Sequence, residues 1–306
     1  MFGVFLPQLR MSFATIEAKA RSAEELGYHS VWLMDHLAAP AAPEHDTLEG
    51  WTLAAALAAR TSTVRLGHLV TANPFRHPAL LAKMAATLDA VSHGRLILGY
   101  GAGWFAQEYE AYGYDFPPIG TRLRQLEEGL QILKRMWTEE QATFHGAHYH
   151  VENARCLPRP TRKPHPPILI GGAGEKVLLK LVARYADIWN NMGIFHREIG
   201  AKLEVLRRHC QRVGRSFDEI EISQQTVGAI GLSRDEARRR TEEVHREVGF
   251  LTGAPELCPT GTPDEIVSRL RESVQRGISS FVISFGRHAG AESLRLFARE
   301  VIPAFR

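Results

Sequence analysis

Long apolar runs are missing from this chain. No stretch approaches the roughly 20 residues that a membrane-crossing helix requires, so neither a span nor a membrane partner is expected. Cysteine is scarce: Cys156, Cys210 and Cys258 are odd in number, far apart and without a C-x-x-C pair. That argues against a disulfide frame and against a compact zinc site. Charge of one sign is lacking too, since 37 basic and 34 acidic residues leave a net +3. The one basic stretch, Arg234 to Arg240, is interleaved with Glu236 and followed by Glu242 and Glu243, which reads as a solvated helix face; no nucleic-acid partner is expected. Phe2 opens a strand with no charged leader or cleavage site ahead of it, so a cytoplasmic protein is expected. Nor does G-x-G-x-x-G follow the first strand. Leu6-Pro7-Gln8 stands there, which disfavours an open, doubly wound dinucleotide-binding sheet.

What is present is an alternation of two periods along 306 residues, enough for a large core in one domain spanning 1–306. Strands are predicted at Phe2 to Leu6, Ser30 to Met34, Val64 to Thr71 and Leu96 to Gly99, then at Ile168 to Gly171, Ala186 to Asn190, Glu219 to Gln224 and Ile278 to Ser284. Between them lie helical patterns: Phe13 to Leu26, Gly50 to Ala59, Ala79 to Val91, Leu123 to Trp137, Lys176 to Tyr185, Ile199 to Val213, Arg234 to Glu247 and a last one at Ala291 to Phe305. A loop is expected from Gly249 to Thr260. Thr262-Pro263-Asp264-Glu265 then writes a helix start with a cap, a proline in the first turn and two acids. Eight strands, each followed by a helix, predict a (β/α)8 TIM barrel with its active site at the carboxyl ends of the strands. Residues 139–166 break the pattern. Rich in Pro, His and Arg, with alternation at Ala142-Thr143-Phe144 and His148 to Val151, they read as an insertion after the fourth unit that carries a hairpin and covers part of the barrel mouth.

Several strand ends carry candidate chemistry. Leu96 to Gly99 runs into Gly101-Ala102-Gly103-Trp104, where glycines would admit a flat ligand and Trp104 would supply a wall; a tight turn with a core tryptophan is the alternative. Asp35-His36 ends strand two, where an imidazole can pass a proton near neutral pH, or simply bond a carbonyl. Asn73 and His77 flank prolines after strand three. The run Gly171 to Gly174, with Glu175, offers amide groups at a helix start that suit a phosphate, and serves equally as a turn. His145, His148, His150 and Cys156 invite a metal reading, which the alternation of the hairpin discounts, so no metal is expected. Phe5, Trp51, Trp104 and Trp189 suggest an apolar or aromatic substrate pocket, or ordinary packing.

Asp35-His36, Asn73-Pro74-Phe75-Arg76-His77-Pro78, Gly94-Arg95-Leu96 into Gly101-Ala102-Gly103-Trp104 with Glu108 and Tyr112-Gly113, and Gly171-Gly172-Ala173-Gly174-Glu175 together resemble the bacterial luciferase-like monooxygenase superfamily. So do Ala186-Asp187-Ile188-Trp189-Asn190 and Gly261-Thr262-Pro263-Asp264-Glu265, and the likeness is strongest to its F420-dependent oxidoreductases. The resemblance implies a barrel enzyme with coenzyme F420, or alternatively FMN, at its carboxyl face. It implies His36 beside the reactive ring, a bulge over Val70, Thr71, Ala72 and Asn73 behind the ring, and a phosphate loop of Gly171, Gly172, Ala173, Gly174 and Glu175. Asp35, Gly101, Ala102, Gly103 and Trp104 complete the implied cofactor contacts. The family's sugar-phosphate dehydrogenases carry a glutamate directly after G-x-G, where this chain has Trp104, so their substrate does not follow. Three functions are consistent with the resemblance: F420-dependent hydride transfer to or from a small organic substrate, FMN-dependent monooxygenation, and a flavin-binding barrel without catalysis. A homodimer is implied, with a flavin or F420 reductase as a further possible partner.

Overall fold

A computed structural model of the chain describes all residues except 41, 249–253 and 287–289. In order, the main elements are β1 (Phe2–Phe5), α1 (Phe13–Glu25), β2 (Ser30–Leu33), α2 (Gly50–Arg60), β3 (Arg65–His68), β4 (Thr71–Ala72), α3 (Pro78–Val91) and β5 (Leu96–Gly101). There follow α4 (Ala106–Ala111), α5 (Ile119–Thr138), β6 (Ala142–His145), β7 (His150–Ala154), β8 (Ile168–Gly171), α6 (Leu178–Tyr185), β9 (Ile188–Met192) and α7 (Ile199–Val213). The chain ends with β10 (Glu221–Val227), β11 (Ala229–Ile230), α8 (Arg234–Val248), β12 (Thr260–Gly261), α9 (Pro263–Gln275), β13 (Ser280–Ser284) and α10 (Gly290–Glu300).

The main sheet runs β3-β2-β1-β13-β10-β9-β8-β5-β4, and β3 pairs with β5 to close it. Since β4 continues β3, this is the closed eight-stranded parallel (β/α)8 barrel that the alternation predicts. Its strands are buried along all but an end residue of some, as parallel strands covered by helices must be. Among the described residues no helix is long and apolar enough to cross a membrane.

Contacts divide the chain into two compact units. The first comprises Met1–Leu6, Ala18–Trp32 and Gly172–Arg306; the second comprises Pro7–Glu17 and Leu33–Gly171. In the first unit, α9 starts as its sequence dictates: the amide of Thr262 donates to the Glu265 carboxylate at 2.9 Å in a capping box, with Pro263 leading the helix. The short parallel pair β11 and β12 has no counterpart in the predicted elements. Part of the expected loop from Gly249 lies outside the described residues.

In the second unit, the predicted strand Val64 to Thr71 is interrupted. Leu66 and Gly67 face Leu96 and Ile97 on β5, whereas Thr71 and Ala72 face Tyr100 and Gly101, so the three residues between them on one strand oppose two on the other. That is a bulge, centred on Leu69 and Val70, whose connecting peptide is cis. The insertion of 139–166 forms the expected hairpin, β6 with β7. Cys156 and Leu157 bond to Ala82 and Lys83 of α3, the amide of Arg162 donates to Asp89 near the end of that helix at 3.0 Å, and Glu128 of α5 caps the hairpin turn. The segment is a strap along the helix layer, and its Tyr149 also reaches Asn73 and His77, which follow β4.

Candidate active site

His36 follows β2 and is held from outside its own strand. Its Nδ1 lies 2.8 Å from Oε2 of Glu108 on α4, and the imidazole keeps 18% of its side-chain surface exposed against 1% for the carboxylate. The other oxygen, Oε1, accepts from the amides of Leu37 and Ala38. An ionised carboxylate only accepts, so Nδ1 carries the proton and a neutral His36 has its lone pair on Nε2. Trp104 stands edge-on to the ring with centroids 5.8 Å apart, and Phe105 does so at 6.4 Å. Trp104 is 62% exposed, an unusual state for so large an apolar ring.

Asp35 is turned to a different task. Its carboxylate accepts a bidentate pair from Arg76, at 2.7 and 2.9 Å, and the amide of Ala72 at 2.8 Å. It therefore ties the end of β2 to the segment after the bulge, to which the half-buried Arg76 belongs. The ion pair holds the guanidinium charged despite desolvation, its pKa raised above the ordinary value.

Of the four residues that the resemblance assigns to the bulge, only Val70 lies within it; Thr71 and Ala72 form β4, and Asn73 follows them. The γ-carbons of Val70 occupy the space a Cβ on Gly101 or Gly171 would need, with contacts of 2.6 and 2.8 Å to the atoms such residues would add. Gly101 is thus glycine to admit Val70, and Gly103, at φ +75°, to admit the phenol of Tyr109. In both, the direction a Cβ would take is filled by a protein side chain. Thr71 is buried, and Ala72 packs with Phe75 and Tyr109. The amide of Asn73 is consumed between two phenols, accepting from Tyr100 and donating to Tyr149 of the strap at 3.0 Å. Ala102 contributes its carbonyl to Arg122. His77 caps α3, its Nδ1 accepting from the amide of Ala79.

The loop after β8 belongs to the first unit. Gly172 adopts φ +129°, its amide donates to Asn190, and its carbonyl accepts from the Trp189 indole at 2.8 Å. This pins the start of the loop. The amides of Ala173, Gly174 and Glu175 have no partner among the described residues, and the α-helix begins at Leu178, two residues later than predicted. Lys202, nearly buried, brings its ammonium 3.4 Å from the carbonyl of Ala173 and 3.1 Å from Glu175. Glu198 holds the same ammonium at 3.3 Å, so it is the free amides that fit a phosphate.

Of the predicted pocket aromatics, Trp189 and Trp51 are buried, the latter stacked on His68, and Phe5 is buried in β1. Only Trp104 of the four is exposed. Glu108, the partner of His36, is the residue whose place the sequence left open; its one signal was a carboxylate about one helical turn beyond G-x-G-W.

Residues 1–256 match the family model described as luciferase-like monooxygenase. A relative from Microbacterium testaceum, named F420-dependent glucose-6-phosphate dehydrogenase, is 27% identical over 309 residues, covering 93% of this chain and 91% of its own. One of the same name from Amycolatopsis mediterranei is 27% identical over 312 residues, with 93% and 92% covered. Among solved structures, monooxygenase RslO1 from Streptomyces bottropensis superposes with a TM-score of 0.83 at 24% identity over 100% of this chain and 99% of the other. The coenzyme F420 dependent tetrahydromethanopterin reductase from Methanopyrus kandleri does so at 0.80 and 20%, with the same coverage. Both share the fold.

Proposed function

Because the chain belongs to the luciferase-like monooxygenase family, a family of oxidoreductases, we propose that it is an F420-dependent oxidoreductase moving hydride to or from a small organic substrate, with His36 handling the accompanying proton. The observation that carries this reading is the His36–Glu108 pair. A carboxylate fixed by two backbone amides dictates which imidazole nitrogen is the base, a refinement that a merely structural histidine does not need. The names of the full-length relatives favour F420 over FMN.

The loop after β8 suits the phosphate of such a cofactor through the amides of Ala173, Gly174 and Glu175, with Lys202 beside them. When bound, the deazaflavin supplies a ring carbon that takes up or releases hydride. The chain's own part is to position and to move protons. In the oxidative direction, Nε2 of His36 accepts the proton of a substrate hydroxyl as hydride leaves the carbinol carbon; in the reductive direction it returns that proton to the carbonyl oxygen. The positive charge His36 gains is balanced by Glu108 through Nδ1.

The substrate class follows from the surroundings of His36. Trp104 and Phe105 offer aromatic faces, whereas the guanidinium groups of this unit that border the cluster are committed: Arg76 to Asp35, and Arg122 to the carbonyls of Gly103 and Pro117. A neutral aromatic alcohol or ketone suits this wall better than a sugar phosphate. The test is a fluorescence titration of the purified apo-protein with F420 and with FMN, then turnover of neutral aromatic alcohols against glucose 6-phosphate. Preferential F420 binding and oxidation of the aromatic alcohols are expected; tight FMN binding with oxygen consumption would replace the proposal by the monooxygenase.

A further inference from the structure

Away from the site, the hairpin of β6 and β7 carries a group of donors with no part in the chemistry above. His145 and His150 are directly opposed in its register, and Glu152 lies two residues beyond His150 on the same face. Their Nδ1 atoms are 2.9 Å apart, the rings meet at 4.3 Å and 65°, and Nε2 of His145 lies 3.2 Å from Oε2 of Glu152. Among the described residues this is the one His/Cys/Asp/Glu group whose ligand atoms all lie within 4.8 Å of one another. We propose that the facing Nδ1 atoms of His145 and His150 bind a borderline divalent transition-metal ion, Zn²⁺ or Cu²⁺, with Glu152 orienting the His145 ring.

Tautomer and geometry both favour the Nδ1 pair. Glu152 accepts from Nε2–H of His145, which leaves the lone pair of that ring on Nδ1, facing its partner. A zinc–nitrogen bond of about 2.0–2.1 Å in a tetrahedral site sets the two nitrogens roughly 3.3 Å apart. Opening the contact from 2.9 Å to that spacing takes a small ring rotation, and the ion replaces the proton now shared between the rings. Two imidazoles select Zn²⁺, Ni²⁺ or Cu²⁺, and not Mg²⁺ or Ca²⁺, which want an all-oxygen shell. Water fills the remaining positions, because all three side chains are more than half exposed.

An ordinary exposed hairpin would have to be ordered by the ion at an entropic cost, but this one is already fastened. Glu128 accepts from the amides of Ala147, His148 and Tyr149, each at about 3 Å, and Arg135 of the same helix donates to the carbonyl of Thr143 at 2.9 Å. Thr143 in turn accepts from the amide of Asn153, and Tyr149 bonds Asn73. The ligand backbones are thus held before the ion arrives.

The experiment uses the untagged full chain, stripped with EDTA and titrated calorimetrically with ZnCl₂ at pH 7.5, with MgCl₂ as a control. One equivalent of Zn²⁺ is expected, weakened at least 10-fold in His145→Ala and in His150→Ala, about 10-fold in Glu152→Gln, and unchanged in His148→Ala. Cu²⁺ should show hyperfine splitting from two imidazole nitrogens in its electron paramagnetic resonance spectrum. Thermal melts establish that the variants fold, which the exposure of both rings leads us to expect. Absence of zinc binding by the wild type, or binding undiminished in either histidine variant, overturns the site.

Discussion

Two adjacent side chains, Asp35 and His36, divide the labour at the end of β2. The aspartate spends both oxygens on Arg76 and Ala72, whereas the histidine keeps one nitrogen uncommitted beside an exposed tryptophan. Sequence showed where both residues stand, because a strand end followed by a loop is readable from hydrophobic run length. It could not pair His36 with Glu108, which lies 72 residues further along. That pairing yields a prediction. In Glu108→Gln, the amide oxygen still has Leu37 and Ala38 to accept from, so the NH₂ group faces His36 and makes Nδ1 an acceptor. The proton then sits on Nε2, where a base is needed. Turnover should fall by about 10² to 10⁴, as in His36→Ala, with cofactor affinity nearly intact. The loss should fall on kcat with KM near the wild-type value, whereas a merely structural role for Glu108 would move both. A Gln variant with wild-type turnover refutes the tautomer argument.

At the scale of elements, the glycines around the site separate into two kinds. Gly101 and Gly171 make room for Val70 at the bulge, a packing duty that a string of letters does not distinguish from ligand contact. Gly172 is different: at φ +129° it is exposed, and an added Cβ would meet Leu178 at 2.9 Å. A branched residue there is strained whatever the space. We therefore expect Gly172→Val to displace the loop that carries the free amides, weakening cofactor binding at least 10-fold while circular dichroism still reports the barrel. The melting temperature should fall by a few degrees, for a local cost of about 1–2 kcal/mol. Cofactor affinity equal to wild type would remove the phosphate from this loop. The bulge itself was legible only through family likeness, since Val64 to Thr71 reads as one uninterrupted strand by its residues alone.

For the whole molecule, the eight β/α units were legible because each strand is a short apolar run and each helix has its own period and stop; Gly27 and Gly214, both left-handed in the structure, mark two of those stops. The course of the strap was not, since contacts of Glu128, Lys83 and Asp89 with residues 147–162 have no periodic signature. Nor was the state of His68, which reads as a strand residue and proves to be fully buried, stacked on Trp51 at 4.7 Å, with Nε2 unpartnered among the described residues. Burial pushes its pKa below the ordinary imidazole value, against the opposing pull of Asp35. The folded protein thus holds His68 neutral, while the unfolded chain takes up a proton once the pH drops below about 6.5. Its contribution to stability is complete above that pH and is lost as the pH falls below it, with a slope of at most about 1.4 kcal/mol per pH unit. His68→Phe keeps a flat ring against Trp51 and removes the proton. Whatever its absolute stability, its unfolding free energy should decline less steeply than that of the wild type between pH 7 and pH 5, as measured by urea denaturation at each pH. Parallel curves would mean that His68 is protonated within the fold, and that Asp35 outweighs burial at this position.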